Sequence, residues 1–282
     1  MNFIEAIILG IIQGATEFLP ISSTGHLTIA GKLMHLISAN NPEHWTAFIA
    51  VIQLGTLLAV LIYFRNDLWH IILDFLKDNL IERKGFSRQN ENSKMGWYII
   101  IGSLPVAIIG LGFKDLIEGA FTKNLYVIAG GLIFFGILLG LSEKLGKFKK
   151  DIHQVKWYDA LLVGFAQSFA LIPGSSRSGT TITAGLFLGF ERETAARFSF
   201  LLSIPAVLGS GLLEFYQSLK FIDSTGLTAM LIATITSAIS GYIAIDFLLK
   251  YLKKNSTFIF VGYRIVIGIL IYIMIAYNII TP

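Results

Sequence analysis

The sequence contains no cysteine in 282 residues. That excludes a disulfide framework and any thiolate metal site. Charge is also scarce. Asp, Glu, Lys and Arg make up 14% of the chain, where a soluble globular domain carries about 25%. Lys and Arg exceed Asp and Glu by 22 to 18, but no basic helix or stripe stands out, so no nucleic-acid footprint is present. A cleavable signal peptide is not expected either. Glu5 stands where a positive n-region belongs, and no A-x-A-like site follows.

What is present is apolar sequence in long blocks. Hydrophobic residues make up 54% of the chain, and its mean hydropathy is +0.70. An integral membrane protein is expected. A spanning helix needs about 20 apolar residues. Six stretches meet this, near 45–64, 96–113, 124–142, 195–216, 227–250 and 257–279. Two more, 4–30 and 157–190, carry a proline and a Gly/Ser/Thr cluster in the middle. Neither reads as one continuous helix. Irregular backbone at membrane depth must be buried in protein or reached by water, so both are predicted as re-entrant hairpins.

Basic residues support this arrangement. The segment 65–95 holds Arg65, Lys77, Arg83, Lys84, Arg88 and Lys94. Lys144, Lys147, Lys149, Lys150 and Lys156 follow in a second segment, and Lys250, Lys253 and Lys254 in a third. The positive-inside rule places all three in the cytoplasm. The remaining connections have few cations: Lys32, Lys114 with Lys123, and Lys220. Six crossings and two re-entrant hairpins put every basic loop inside and both termini outside. The polar stretch KDNLIERKGFSRQNENSK (77–94) reads as a mobile cytoplasmic loop.

The chain also repeats itself. LGIIQGATEFLPISSTG (9–25) resembles VGFAQSFALIPGSSRSG (163–179), with Gly10 against Gly164 and Gln13 against Gln167. Small gaps bring Pro20 onto Pro173, Ser22-Ser23 onto Ser175-Ser176 and Gly25 onto Gly179. Gly130 and Gly136 match Gly262 and Gly268 in spacing. The predicted units are a first repeat over 1–142, a basic linker over 143–156 and a second repeat over 157–282. Each holds one hairpin and three crossings. Three is odd, so the repeats are inverted and the hairpin tips meet near the midplane. The expected fold is an all-α polytopic membrane protein.

The hairpins carry the reactive residues. Gln13 and Glu17 are four apart, on one helical face. An acid at membrane depth costs about 3 kcal/mol to insert, so it marks a polar cavity. Pro20 ends that helix. Ser22, Ser23, Thr24 and Gly25 follow, a turn able to cradle an anion or simply to cap a helix. His26 closes the cluster. The second hairpin reads PGSSRSGTT (173–181) and centres on Arg177, flanked by Ser175, Ser176, Ser178 and Thr181. Guanidinium suits phosphate oxygens. Leu171 falls about where Glu17 would repeat, so acid and imidazole come from one half and the cation from the other. Together they form a set fit for phosphoryl transfer. Arg264 is a second deep cation, expected to pair with Asp246 or Glu143 or to snorkel.

Gln13-x-x-x-Glu17, LPISSTGHL (19–27) and PGSSRSGTT (173–181) together resemble the bacterial undecaprenyl-diphosphate phosphatase, or bacitracin-resistance, family. The likeness runs the length of the chain. It implies hydrolysis of a C55 polyprenyl diphosphate to the monophosphate carrier of cell-wall synthesis, in the bacterial cytoplasmic membrane. It also implies a divalent cation, Mg²⁺ or Ca²⁺, and carries functional roles to Glu17, Ser23, His26, Ser176, Arg177 and Thr181. Where relatives have Glu at the first acidic position this chain has Gln13, which leaves Glu17 as the one carboxylate for the metal. Substrate oxygens and water are expected to complete its shell.

Three routes to phosphorus are open: Ser23 attacking with His26 or Glu17 as base, His26 attacking directly, or an activated water. The Ser-x-x-His spacing favours Ser23 with His26. The topology puts the first hairpin's mouth, and with it hydrolysis, on the outer side. A lipid-phosphate transporter, or a protein that both hydrolyses and flips the lipid, is the rival reading, because inverted repeats with paired hairpins are also transporter architecture. An ion channel fits less well, since the polar residues form a clamp rather than a ring. Gly130, Gly131 and Gly136 could pack helices within one chain or across a homodimer.

Overall fold

A computed structural model describes residues 1–37, 42–112, 124–218 and 224–281. The chain is helical almost throughout. It begins with α1 (Phe3–Glu17), whose N-terminus is closed by a reciprocal capping box between Asn2 and Glu5. A break follows, then α2 (Ser23–Leu33). α3 (Pro42–Tyr63) and α4 (Arg65–Leu76) come next, then α5 (Glu91–Gly112) and α6 (Leu125–Leu145). α7 (Trp157–Ser168), a 3₁₀ turn (Phe169–Leu171) and α8 (Arg177–Phe187) form the second broken pair. α9 (Arg192–Ser218), α10 (Ser224–Leu252) and α11 (Phe258–Ala276) complete the chain.

Among the described residues six helices are long and apolar enough to cross a membrane. They fall within α3, α5, α6, α9, α10 and α11, where the sequence places them. The short second span extends back to Glu91 and gains more than a turn. Many large apolar side chains on these helices face outward, among them Ile108, Phe134, Ile235, Ile259 and Val266. Such a surface is unfavourable in water and at home in lipid. Lys114, Lys123 and Lys220, used to argue topology, lie outside the described residues.

Packing crosses between the two halves of the chain. α1 lies along α10, and α7 lies along α5. Each broken pair thus rests on a long helix of the other half. α3 packs on α9, and α6 on α11. The approaches are close because small residues line them. A Cβ on Gly14 would stand 2.4 Å from the Ser237 carbonyl of α10, and one on Gly164 would stand 2.2 Å from that of Gly102 on α5. Gly131 and Gly136 are used within the chain, against the second break and against Arg264.

The stretch 77–94 is not a loose loop. Asp78, Asn79, Lys84, Gln89 and Ser93 bond to one another within it, while most of its other side chains are exposed. Asp78 is buried and accepts from Lys84 Nζ at 2.9 Å and the Asn90 backbone N–H at 2.9 Å. Gln89 donates to Asn79, and Asn79 to Ser93. Hydrophilic composition alone suggests solvation throughout, but part of this polar sequence closes an internal network.

Candidate active site

The two breaks share one local design. Ser22 and Ser176 cap α2 and α8 with φ of 76° and 69°, a region L-residues enter at a cost of about 1–3 kcal/mol. Each Oγ accepts from a glycine three residues on, Gly25 at 3.3 Å and Gly179 at 3.2 Å. The caps equate Ser22 with Ser176, the same offset that relates Gly10 to Gly164 and Gln13 to Gln167. Ser23 then corresponds to Arg177. Both helices start at a break, and helix N-termini favour negative charge.

Glu17 is the centre of the site. It ends α1 and is buried. Its Oε1 accepts from Arg177 Nη2 at 3.1 Å. Its Oε2 accepts from Ser23 Oγ at 2.6 Å and from Gln13 Nε2 at 3.1 Å. One carboxylate therefore gathers residues from both breaks. Exchanging a buried ion pair for apolar residues of similar size is often neutral or stabilising, so stability alone gives little reason to keep this one.

The second break supplies the opposite wall. Arg177 Nη1 also donates to the Ser199 carbonyl at 3.2 Å. Thr181 Oγ1 lies 2.6 Å from Ser199 Oγ and donates back to the Arg177 carbonyl at 2.8 Å. Ser178 Oγ ties the breaks together through the Leu19 carbonyl at 3.0 Å. Ser175 is fully buried, and its Oγ has no partner among the described residues. Gln13 Oε1 and Arg177 Nε likewise have none. Thr24 is half-buried on the first turn of α2.

His26 turns elsewhere. Its Nδ1 lies 2.7 Å from the Ser22 carbonyl. A carbonyl only accepts, so Nδ1 carries the proton. In the neutral ring Nε2 then accepts from the Tyr263 hydroxyl at 2.7 Å. The two rings stack at 11° with centroids 5.6 Å apart. In this arrangement the Ser23 hydroxyl is directed to Glu17 and not to the imidazole.

Arg264 differs from expectation. Asp246 bonds Lys250, and Glu143 bonds Arg192 and Thr257. Arg264 instead donates to backbone carbonyls, including that of Pro20 at 3.0 Å and that of Ser175 at 2.7 Å. The breaks leave these carbonyls outside any helix ladder, and the guanidinium satisfies them. Ser199 and Tyr263 were not singled out in the sequence. Each lies in an apolar span without a local motif.

Among the described residues no group of three or more His, Cys, Asp or Glu could hold a metal ion. The site does offer two oxygen donors, the Glu17 carboxylate and the unpartnered Gln13 Oε1. That set fits a hard cation which keeps much of its shell from water and other oxygen ligands.

The chain matches the family described as "Bacitracin resistance protein BacA" over residues 6–270. It belongs to that family. A relative from Syntrophobacter fumaroxidans, named Undecaprenyl-diphosphatase, is 61% identical over 268 residues, covering 95% of each chain. A relative of the same name from Chlorobium phaeovibrioides is 46% identical and covers the whole of both chains. A third, from Chlorobium limicola, is 48% identical over 98% of each. The buried Glu17–Arg177 pair lies within the matched region.

Proposed function

We infer that this protein is an integral membrane hydrolase. It removes the terminal phosphate of undecaprenyl diphosphate and returns undecaprenyl phosphate to cell-wall synthesis, which confers resistance to bacitracin. The observation that carries this reading is the single carboxylate of Glu17, bonded at once to the Ser23 hydroxyl and the Arg177 guanidinium. Acceptor, hydroxyl and a cation suited to phosphate stand in contact within a buried cluster.

The geometry supports a sequence of steps. The terminal phosphate enters between the N-termini of α2 and α8 and takes up Arg177 and the hydroxyls around it. Arg177 then turns from Glu17 toward phosphate oxygens. Ser23 Oγ forms the new bond to phosphorus while its proton passes to Glu17, to which it is already bonded at 2.6 Å. The bridging P–O bond breaks, and undecaprenyl phosphate leaves. Water then hydrolyses the phosphoserine, and Ser23 regains its proton. The short bond favours Glu17 over His26 as the proton acceptor. His26 and Tyr263 shape the wall beside Ser22. A divalent cation, Mg²⁺ or Ca²⁺, would be held by Glu17 and Gln13 Oε1, and would neutralise charge on the diphosphate.

The architecture fits a substrate anchored in lipid. We read the two broken pairs as re-entrant hairpins of an inverted repeat, 1–142 and 157–282, joined by the basic linker 143–156. The exchange-symmetric packing of α1 on α10 and α7 on α5 supports that reading. The first hairpin then opens to the outer side of the cytoplasmic membrane. The head group reaches the tips while the C55 tail stays in the bilayer. The transporter reading retains one supporting observation, the same paired packing.

Quenched incubation with a polyprenyl diphosphate labelled in its terminal phosphate tests the route. Label on a Ser23-containing peptide supports it. Label on His26, or release of phosphate at full rate by Ser23→Ala, overturns it. Lipid that crosses a vesicle membrane with its diphosphate intact favours the transporter.

A further inference from the structure

Arg264 of α11 takes no part in that chemistry, yet it is among the largest fully buried side chains. It forms no ion pair among the described residues. Its guanidinium instead joins three segments of the chain. Nη1 donates to the Pro20 carbonyl of the first break at 3.0 Å. Nη2 donates to Gly174 and Ser175 of the second break at 2.9 and 2.7 Å. Nε donates to Leu132 of α6 at 3.1 Å.

Space for this junction is set by absent side chains. A Cβ on Gly179 would stand 2.5 Å from Arg264 Nη1, and one on Gly136 would stand 3.2 Å from Arg264 Cβ. A guanidinium presents five donors in a fixed planar fork, whereas an ammonium is a point charge with three. Three donors cannot serve the four carbonyls of Pro20, Leu132, Gly174 and Ser175 together, whereas five in a fork can. An apolar side chain would fill the volume at lower cost, but it would leave the break carbonyls unsatisfied. The residue answers a need created by the breaks.

We propose that Arg264 is a positioning residue, a pin that fixes the first break against the second. Ser23 and Glu17 arrive from one side of it and Arg177 from the other. Their contacts hold only if Pro20 and Gly174 keep their separation. Glu17 offsets the charge of Arg177, so Arg264 also leaves the junction with a net positive charge that favours an anion. The inference rests on the hydrolase reading for its kinetic readout alone.

The test uses purified protein in detergent and compares Arg264→Lys with Gly179→Ala. Arg192→Lys, which alters the buried Glu143 pair at a distance, serves as the stability control. Amide exchange is followed over 19–26 and 173–180, with kcat and KM for phosphate release from a polyprenyl diphosphate. In Arg264→Lys both breaks exchange faster, and kcat falls about 100-fold, the scale on which a 1 Å misplacement acts. KM changes far less. Gly179→Ala shifts the guanidinium and moves both readouts the same way by a smaller amount, so the test survives if Arg264→Lys does not fold. Arg192→Lys lowers the melting temperature without altering exchange at the breaks. The proposal is overturned if Arg264→Lys leaves exchange unchanged, or loosens the breaks with kcat intact. It is also overturned if Arg192→Lys reproduces the same kcat loss. If the wild-type protein releases no phosphate, the hydrolase reading fails, and exchange at the two breaks alone decides the pin.

Discussion

The Ser23 hydroxyl is where two lines of reasoning diverge. Spacing in the sequence favours His26 as its partner, because the two lie three residues apart in one turn. The hydrogen bond goes to Glu17, six residues back. Removing the acceptor in Glu17→Gln should lower phosphate release by about 10²–10⁴-fold, the range for a general base. Removing only the Tyr263 hydroxyl in Tyr263→Phe should leave most activity. Initial rates on the two variants check this, and a larger loss in Tyr263→Phe would return the base role to His26. Much of the site was legible at this scale. Gln13 and Glu17 show by their helical spacing, and Arg177 shows as a cation at depth. Ser199 and Tyr263 do not, since they meet the site only through tertiary contact. Arg264 was visible, but its partners were not. Sequence reasoning pairs charge with charge, and nothing in residue identity marks a carbonyl left free by a broken helix.

At the scale of elements, the breaks are the informative feature. A proline beside a run of small polar residues marked both of them, and the structure adds the left-handed serine cap. Ser176→Ala loses a capping oxygen and keeps a Cβ at φ 69°. It should destabilise the protein by about 1 kcal/mol or more. Ser176→Gly loses the same oxygen but tolerates the dihedral, so it should cost less. Thermal unfolding of the two variants in detergent gives the order. The segment 77–94 teaches the opposite lesson, because composition cannot distinguish polar residues that face water from polar residues that face each other. Lys84, with the Asn90 N–H, holds the Asp78 carboxyl below its usual 3.8. A depressed folded-state value gives stability that is present above the ordinary carboxylate range and lost as pH falls through the lowered one. Amide protection over 77–94, taken relative to the intrinsic exchange rate at each pH, should therefore fall on acidification below pH about 4. It should not respond between pH 6 and 8, a range of about 2 units in which neither Asp nor Lys ordinarily titrates.

For the whole molecule, apolar block length made the six spans legible, because twenty apolar residues have few other uses. Packing partners were not legible. That α1 rests on α10 and α7 on α5 depends on glycine approaches that a hydropathy profile does not register. The proposed topology has a direct check in a chain without cysteine. Lys149→Cys should react with an impermeant thiol reagent only after the membrane is opened, and Asn124→Cys should react from outside. Reversed labelling would invert the topology. The claim that both breaks build one hydrolytic site meets its most direct test in inorganic phosphate released by purified, detergent-solubilised protein from a polyprenyl diphosphate with Mg²⁺. The expected result is stoichiometric phosphate from the wild type, suppressed by chelator and abolished in folded Arg177→Ala. No release from the wild type, or undiminished release from Arg177→Ala, would contradict the account.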